Sequence, residues 1–533
     1  MIPEFFKDRE IFLTGGSGVV GKAVIEKLLR SCNVHKIYIL LRSKPKVSIE
    51  KRLEDIKKEK IFRRLHAEKP QEFDEKVVAI PGDVELPMLG ITDEYLKLME
   101  NVSIVYHSAA TIRFNEPIKK AIRINVGGTL EALKFAEKLE HLVTFIYIST
   151  FFSNPYLEFV DTKIYESPLN WKLCLDLSRR EDIDEETINI ITSKLIVGFP
   201  NTYCFTKNLT ESMVNDHRHK LPIAVYRPSI VIQSMEDPEY GFPTTLVGAM
   251  ALFALPGAGI FKVIHCSKDI CLDMAPLDFT TKSLLYYTMK TFAFYSTPAE
   301  GRPKEMPVFI VSSYKHFNVT LRQYCDMIEK FNIWHQKPLE KSLLLPGVNY
   351  TDNVVWYHIL FYIQHLIPSL LVDFLFKVSG NQPVFMKIQR KLYLTMEVVK
   401  PFMFNNYRSN GITYAKEMLD QLHGTDFNMD ALKWTPKYTR NVAVVLELAA
   451  NCRDVLFNED PSTIPRAKIV LKITEHKAVK NDFRILQRPR NFYNRRIRFF
   501  VVLILKNPTN SMIRFVPFPA MWNFPCWALL RSI

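Results

Sequence analysis

A chain of 533 residues exceeds what one hydrophobic core sustains, and 47 % hydrophobic with 24 % charged residues describes a folded protein with some apolar surplus. The net charge of +14 suits nucleic acid, a membrane surface or an anionic substrate, but without zinc-finger spacing, a repeat period or a helix-turn-helix pattern no nucleic-acid partner is expected. The eight cysteines are scattered with neither metal-ligand nor disulfide spacing, so no metal is expected; MIPEFFKDRE at the start has no apolar signal segment, which favours a reducing, cytosol-facing location.

In chain order, Glu10–Thr14 reads as a short buried strand, and Val19, Val20, Ala23, Val24, Leu28 and Leu29 recur at helical spacing. Between them Gly15, Gly18 and Gly21 form a G-x-x-G-x-x-G turn. With Ser17, Val19 and Val20 it would let a pyrophosphate approach the free N–H groups of the helix. Lys36–Arg42 is a second strand, about twenty residues on, and it ends in Arg42, Lys44 and Lys46 where an NAD site would carry a carboxylate. That basic cluster suits the 2′-phosphate of NADPH. Residues 51–75 read as a charged, solvated helical insertion. Strands are expected at 77–81, 103–107, 144–149 and 223–226, which with the intervening helices implies a doubly wound parallel sheet, the Rossmann-type α/β class. Residues 154–200 interrupt the sheet as material for a substrate cap. From about 300 the chain turns helical, with 308–312 as a further strand, and after 460 it becomes basic and irregular.

Two apolar stretches stand out. Residues 354–376 have the length of a membrane span, but His358, Gln364, His365, Pro368 and Asp373 interrupt them, so a buried or interfacial helix is expected. Phe499–Leu505 is too short to cross a bilayer. Six arginines (484, 488, 490, 495, 496 and 498) precede it and Trp522 and Trp527 follow, a pattern suited to a membrane interface.

The chemistry-bearing stretch is PNTYCFTK at 200–207. Tyr203 and Lys207 stand one helical turn apart, so the ammonium is expected to lower the phenol's pKa and make it a proton donor. Upstream, the fifth strand ends in Ser149 and Thr150, which sets a hydroxyl at the edge where ligands bind in open parallel sheets. Nucleotide turn, strand-end hydroxyl and Y-x-x-x-K follow one another along the chain, and together they favour a catalytic role for Tyr203 and Lys207.

With TGGSGVVGK, GDV (82–84), YHSAATIRF (106–114), INVGGT (124–129), IST (148–150), PNTYCFTK and YRPSIV (226–231), the chain resembles the extended short-chain dehydrogenase/reductases. Within them it is similar to the eukaryotic, male-sterility-type fatty acyl-CoA reductases, insect members included. IQHLIPSLLVDFLFKVSGNQPV and DFNMDALKW resemble that family's helical C-terminal domain. The resemblance implies an NADP-binding catalytic domain over 1–295, a helical domain over 296–457 and a membrane-associating tail over 458–533. It implies Thr150, Tyr203 and Lys207 as the catalytic set, with Ser149 the alternative hydroxyl. Asp83 and Val84 would border the adenine, Ser108, Ala109 and Ala110 the nicotinamide ribose, and Pro228 and Ser229 the nicotinamide, with Asn125 in support. Phe151 and Phe152 depart from the smaller residues usual after the hydroxyl and would narrow the acyl pocket. The implied reaction is reduction of a long-chain acyl-CoA by two NADPH to a primary alcohol. It would take place at the cytosolic face of the endoplasmic reticulum or peroxisome, and the resemblance leaves room for a homo-oligomer. A sterol or other alcohol dehydrogenase, or a silent cofactor-binding protein, are the alternatives.

Overall fold

Apolar runs without alternation, such as EIFLT, KIYILL, VSIVYH and TFIYI, belong in strands covered on both faces, and all four are buried nearly throughout. In the computed structural model, which describes residues 1–480 apart from 247, 313, 317–318, 341, 343–344 and 435–441, they lie in a seven-stranded sheet. The strands are β1 (Glu10–Thr14), β2 (Lys36–Leu41), β3 (Val77–Pro81), β4 (Val102–His107), β5 (Thr144–Ile148), β6 (Ile223–Pro228) and β7 (Val308–Val311). Their order is β7-β6-β5-β4-β1-β2-β3, and every neighbouring pair is parallel. The sheet grows outward in both directions from β1 and β4, so a crevice opens at the C-terminal ends of those two strands.

Three helices build the core or carry site residues. α1 (Val19–Ser31) buries Ala23, Val24, Ile25, Leu28 and Leu29. α2 (Thr202–Asp216) starts where the Asn201 side chain accepts the Cys204 N–H, a side-chain cap that fixes the first turn. α3 (Leu277–Ser296) buries most of its first three turns.

Two expectations change. The insertion after β2 forms short helices that bury Ile56, Phe62, Leu65 and Phe73, so it is charged outside but carries its own apolar seam. The segment after 460, expected to be irregular, includes a helix over Ile464–Lys480 with Ala467 buried. Its Pro465 stands in the first turn, where a missing N–H costs no hydrogen bond.

The contacts divide the chain into two units. One comprises Met1–Thr245, Ser267–Tyr324 and Tyr393–Leu448 and contains the sheet. The other comprises Leu246–Cys266, Cys325–Leu392 and the described residues from Ala449. It holds a two-stranded parallel pair (Val263–His265 with Asn349–Thr351) and, after it, α4 (Val354–Phe361), a π-helical turn and α5 (Ile367–Val378). α6 (Phe385–Phe404) begins in this unit. The arginine-rich and aromatic tail from 484 lies outside the described residues.

Candidate active site

Because the strands are parallel, the residues singled out in the sequence emerge at one edge of the sheet. Gly15–Gly21 follow β1, Arg42 follows β2, Asp83 and Val84 follow β3, Ser108–Ala110 follow β4, Ser149 and Thr150 follow β5, and Pro228 and Ser229 close β6.

The glycine turn is built for close approach. Gly15 has φ +75°, and a Cβ there would sit 2.8 Å from the Ala109 nitrogen and the Ser108 carbonyl carbon. A Cβ on Gly21 would collide with the Gly15 carbonyl oxygen. Both positions exclude a side chain, which packs the glycine turn tight against the loop after β4 and α1 tight against that turn. Gly18 is the N-cap and no side chain caps α1, so its first N–H groups stay available for an anion. Ser17 and Gly18 are exposed, and Val19 and Val20 half-buried.

At the end of β2, Arg42 is exposed and its Nε lies 3.8 Å from the Asp83 carboxylate. Lys44 is exposed beside it. Val84 packs where Gly128 leaves room, a Cβ on that glycine falling 3.0 Å from its own Cβ. The N–H groups of Ser108 and Ala109 both donate to Thr14 Oγ1 (3.2 Å each), which ties the ends of β1 and β4 together.

Asn125 sits on a π-helical turn and is buried. Its Oδ1 accepts from Thr111 N–H (2.8 Å), and its Nδ2 donates to the Thr111 carbonyl (3.2 Å) and to Thr206 Oγ1 (2.9 Å) on α2. It therefore holds the loop after β4 to the helix that bears Tyr203 and Lys207.

Lys207 is buried, donates to the Ile148 carbonyl (2.8 Å) and lies 4.8 Å from the centre of the Tyr147 ring. Burial pulls its pKa down to about 7, with Glu211 opposing. Tyr203 departs from expectation. Burial holds its phenol well above the ordinary value, Cys204 adds to this, and a hydrogen bond with Thr150 opposes it. The ammonium one turn away does not reverse the shift, because desolvation of a phenolate outweighs a neighbour that is itself losing its charge. The phenol is thus fully protonated at neutral pH, the state a donor needs.

Thr150, nearly buried, caps the next turn by accepting Phe152 N–H (3.3 Å). The Ser149 hydroxyl instead donates to Glu211 in the interior, which leaves Thr150 as the hydroxyl beside Tyr203. Ser229 donates its N–H to the Val311 carbonyl, but its buried Oγ has no partner among the described residues. An uncapped helix end, an exposed glycine turn beside it and an orphaned hydroxyl all fit a bound dinucleotide.

Several residues of the site escaped the sequence reading. His107 bridges Thr14 Oγ1 (2.9 Å) and Thr129 Oγ1 (3.0 Å), and Thr129 donates to the Asn125 carbonyl (2.6 Å). Burial, with Lys207 adding to it, depresses His107 to about 3, so it is a neutral structural link. Glu211 and Arg227 form an ion pair (2.6 Å) with no exposure on either side chain. Around Tyr203 stands an aromatic wall: Phe114 at 5.7 Å, then Phe402, Phe152 and Tyr407 in successive ring contacts. His107, Phe114 and Arg227 lie inside recognised motifs, whereas Glu211, Phe402 and Tyr407 had no local signal. A surface hollow of about 450 Å³ lined by Asp8, Arg9, Glu10, His35, Asn101 and Ser103 lies at the opposite edge, away from every strand C-terminus.

Comparison with known proteins meets this geometry. The family described as "Male sterility protein" matches residues 13–284. "Fatty acyl-CoA reductase wat" of Drosophila melanogaster is 32 % identical, with 87 % of each chain covered. Human "Fatty acyl-CoA reductase 1" is 31 % identical over 88 % of each. Among solved structures, the terminal R domain of the myxalamid PKS-NRPS pathway shares the fold with a TM-score of 0.53 at 18 % identity, covering 84 % of this chain and 91 % of its own. A non-ribosomal peptide synthetase R domain from Mycobacterium tuberculosis shares it with a TM-score of 0.52 at 14 % identity, covering 83 % and 91 %.

Proposed function

This chain belongs to the fatty acyl-CoA reductase family, and from that premise we propose that it reduces a long-chain acyl-CoA to the primary alcohol with NADPH as donor. The observation that carries the reading is the convergence of Thr150, Tyr203 and Lys207 at the sheet edge that also bears the Gly15–Gly21 cradle. Two nicotinamide dinucleotides, bound in turn in the Gly15–Gly21 cradle, would each supply one hydride, one per reduction. In the first, Tyr203 donates a proton to the thioester oxygen as charge gathers there, and Thr150 adds a second hydrogen bond. As the C–S bond breaks, the hemithioacetal returns its hydroxyl proton to the Tyr203 phenolate, and CoA leaves as a thiolate that takes a proton from solvent. In the second, the retained aldehyde takes its proton from the same phenol. Lys207 would hold the ribose hydroxyls, and Phe114, Phe152 and Phe402 would line the path of the acyl chain.

NADPH is favoured over NADH by Arg42 and Lys44, both exposed where β2 ends. Supplying a panel of acyl-CoAs with either cofactor and identifying products by chromatography should give fatty alcohol, with NADPH preferred. Changing both residues to Glu should shift the preference toward NADH by on the order of tenfold to a hundredfold, since one or two charge-assisted phosphate contacts are at stake. Absence of any alcohol would overturn the reaction, and equal use of both cofactors by the unmodified chain would overturn the cofactor assignment.

The protein would work at the cytosolic face of the endoplasmic reticulum or peroxisome, with residues 1–295 catalytic, 296–457 the helical domain and the basic, aromatic 458–533 at the membrane. A chain ending near residue 480 should show a smaller membrane-bound fraction in low salt than the full chain. Equal solubility of the full and shortened chains would remove the tail from this role.

A further inference from the structure

We propose that the outward face of Val354–Val378 is a second membrane-docking surface, lying flat among the headgroups of an anionic bilayer. It extends the membrane location proposed above to a surface that does not depend on the tail. The segment is 25 residues long; its most apolar 18-residue stretch has a mean hydropathy of 1.7, yet only 28 % of that stretch is buried. Of the two expectations for this segment, a buried or an interfacial helix, the first is thereby removed.

Most of the polar residues of the segment face the protein, while His358 is half-buried. His365 accepts the Lys262 N–H (3.1 Å) and bonds Gln389 (2.8 Å). Asp373 accepts the N–H groups of Val384, Phe385 and Met386 (2.8–2.9 Å), capping the start of α6. Ser369 is buried, and Gln364 accepts from the Asn349 side chain (3.2 Å). Pro368 is absorbed at the start of α5, just after the π-helical turn. What remains outside is mostly apolar: Trp356, Ile359, Ile367, Leu370, Phe374 and Val378 are 40–71 % exposed. Apart from the π turn they recur every three or four residues, so they form one stripe.

Charge selects the occupant. The segment's only carboxylate is the buried Asp373, and its only exposed formal charge is Lys377. Lys387 and Arg390, both exposed, stand on the first turns of α6, held at that end of α5 by the Asp373 cap and by the Phe376–Phe385 ring contact at 5.5 Å. A tryptophan-bearing apolar stripe with a cationic end fits anionic lipid. Crossing the bilayer would strip His365 and Asp373 of their partners inside hydrocarbon, so the helix lies in the plane of the interface.

The test uses the full chain and vesicles of phosphatidylcholine with phosphatidylserine. Brominated lipids should quench Trp356, read as the difference between wild type and Trp356→Phe. Leu370→Glu with Phe374→Glu should remove that quenching and lower vesicle binding by about tenfold or more, with the unfolding midpoint retained because both side chains are exposed. An unquenched Trp356 overturns the proposal. So does dissociation of a dimer by the double variant without lipid quenching, which would make the face a contact between two copies of this chain. Neither measurement needs turnover, so failure of the reductase reading and failure of this one remain distinct.

Discussion

Tyr203→Phe should lower alcohol formation by roughly 10²–10⁴-fold, the range for losing a positioned proton donor, while dinucleotide binding stays nearly unchanged. The ring keeps its place, since its packing against Phe114 does not involve the hydroxyl. What disappears is the protonated phenol beside Thr150, which acts on the developing oxyanion and so on the transition state more than on the ground state. Lys207→Ala should weaken both turnover and cofactor binding, because its ammonium would meet the ribose. Initial rates together with a fluorescence titration of the cofactor separate the two patterns. Near-normal alcohol formation by the Phe variant would remove Tyr203 from the chemistry.

Glu211→Ala should destabilise the sheet-bearing unit by about 3–5 kcal/mol, the cost of leaving a buried charge without its partner. Arg227 has no exposed surface and would keep the Asp161 carbonyl as the acceptor for its guanidinium, while the Ser149 hydroxyl would lose its acceptor. Denaturant unfolding measures the loss. Glu211→Gln, which keeps the shape, adds a second reading. Glu211 is the group that holds the Lys207 pKa up against burial, already to only about 7. Without its charge Lys207 sheds its proton at a lower pH, so cofactor binding should weaken at a lower pH than in the wild type. An unchanged unfolding midpoint in the Ala variant, or an unchanged pH profile in a folded Gln variant, would dismiss the corresponding role.

The residues behind these two effects differ in how far the sequence alone leads to them. Tyr203 and Lys207 are one helical turn apart and follow the Asn201 cap, so their shared face is local chemistry. Glu211 is two turns from Tyr203 on the same helix, but its meaning comes from Arg227 on a neighbouring strand and Ser149 at the end of another.

The same division runs through the whole chain. Unbroken apolar runs marked the seven strands, glycine spacing marked the cradle, and parallel connectivity then set all the strand ends on one edge. These depend on period, sterics and neighbours within a few residues, which is information a sequence carries directly. Only the tertiary structure decided the rest. It brought Phe402 and Tyr407 into the aromatic wall that leads to Tyr203, and it returned Tyr393–Leu448 to the sheet-bearing unit. It also reversed the expected direction of the Tyr203 shift and turned His365, Ser369 and Asp373 of Val354–Val378 inward, leaving an apolar stripe outside. Burial and long-range partners determine such outcomes, and both come into being only when distant segments meet.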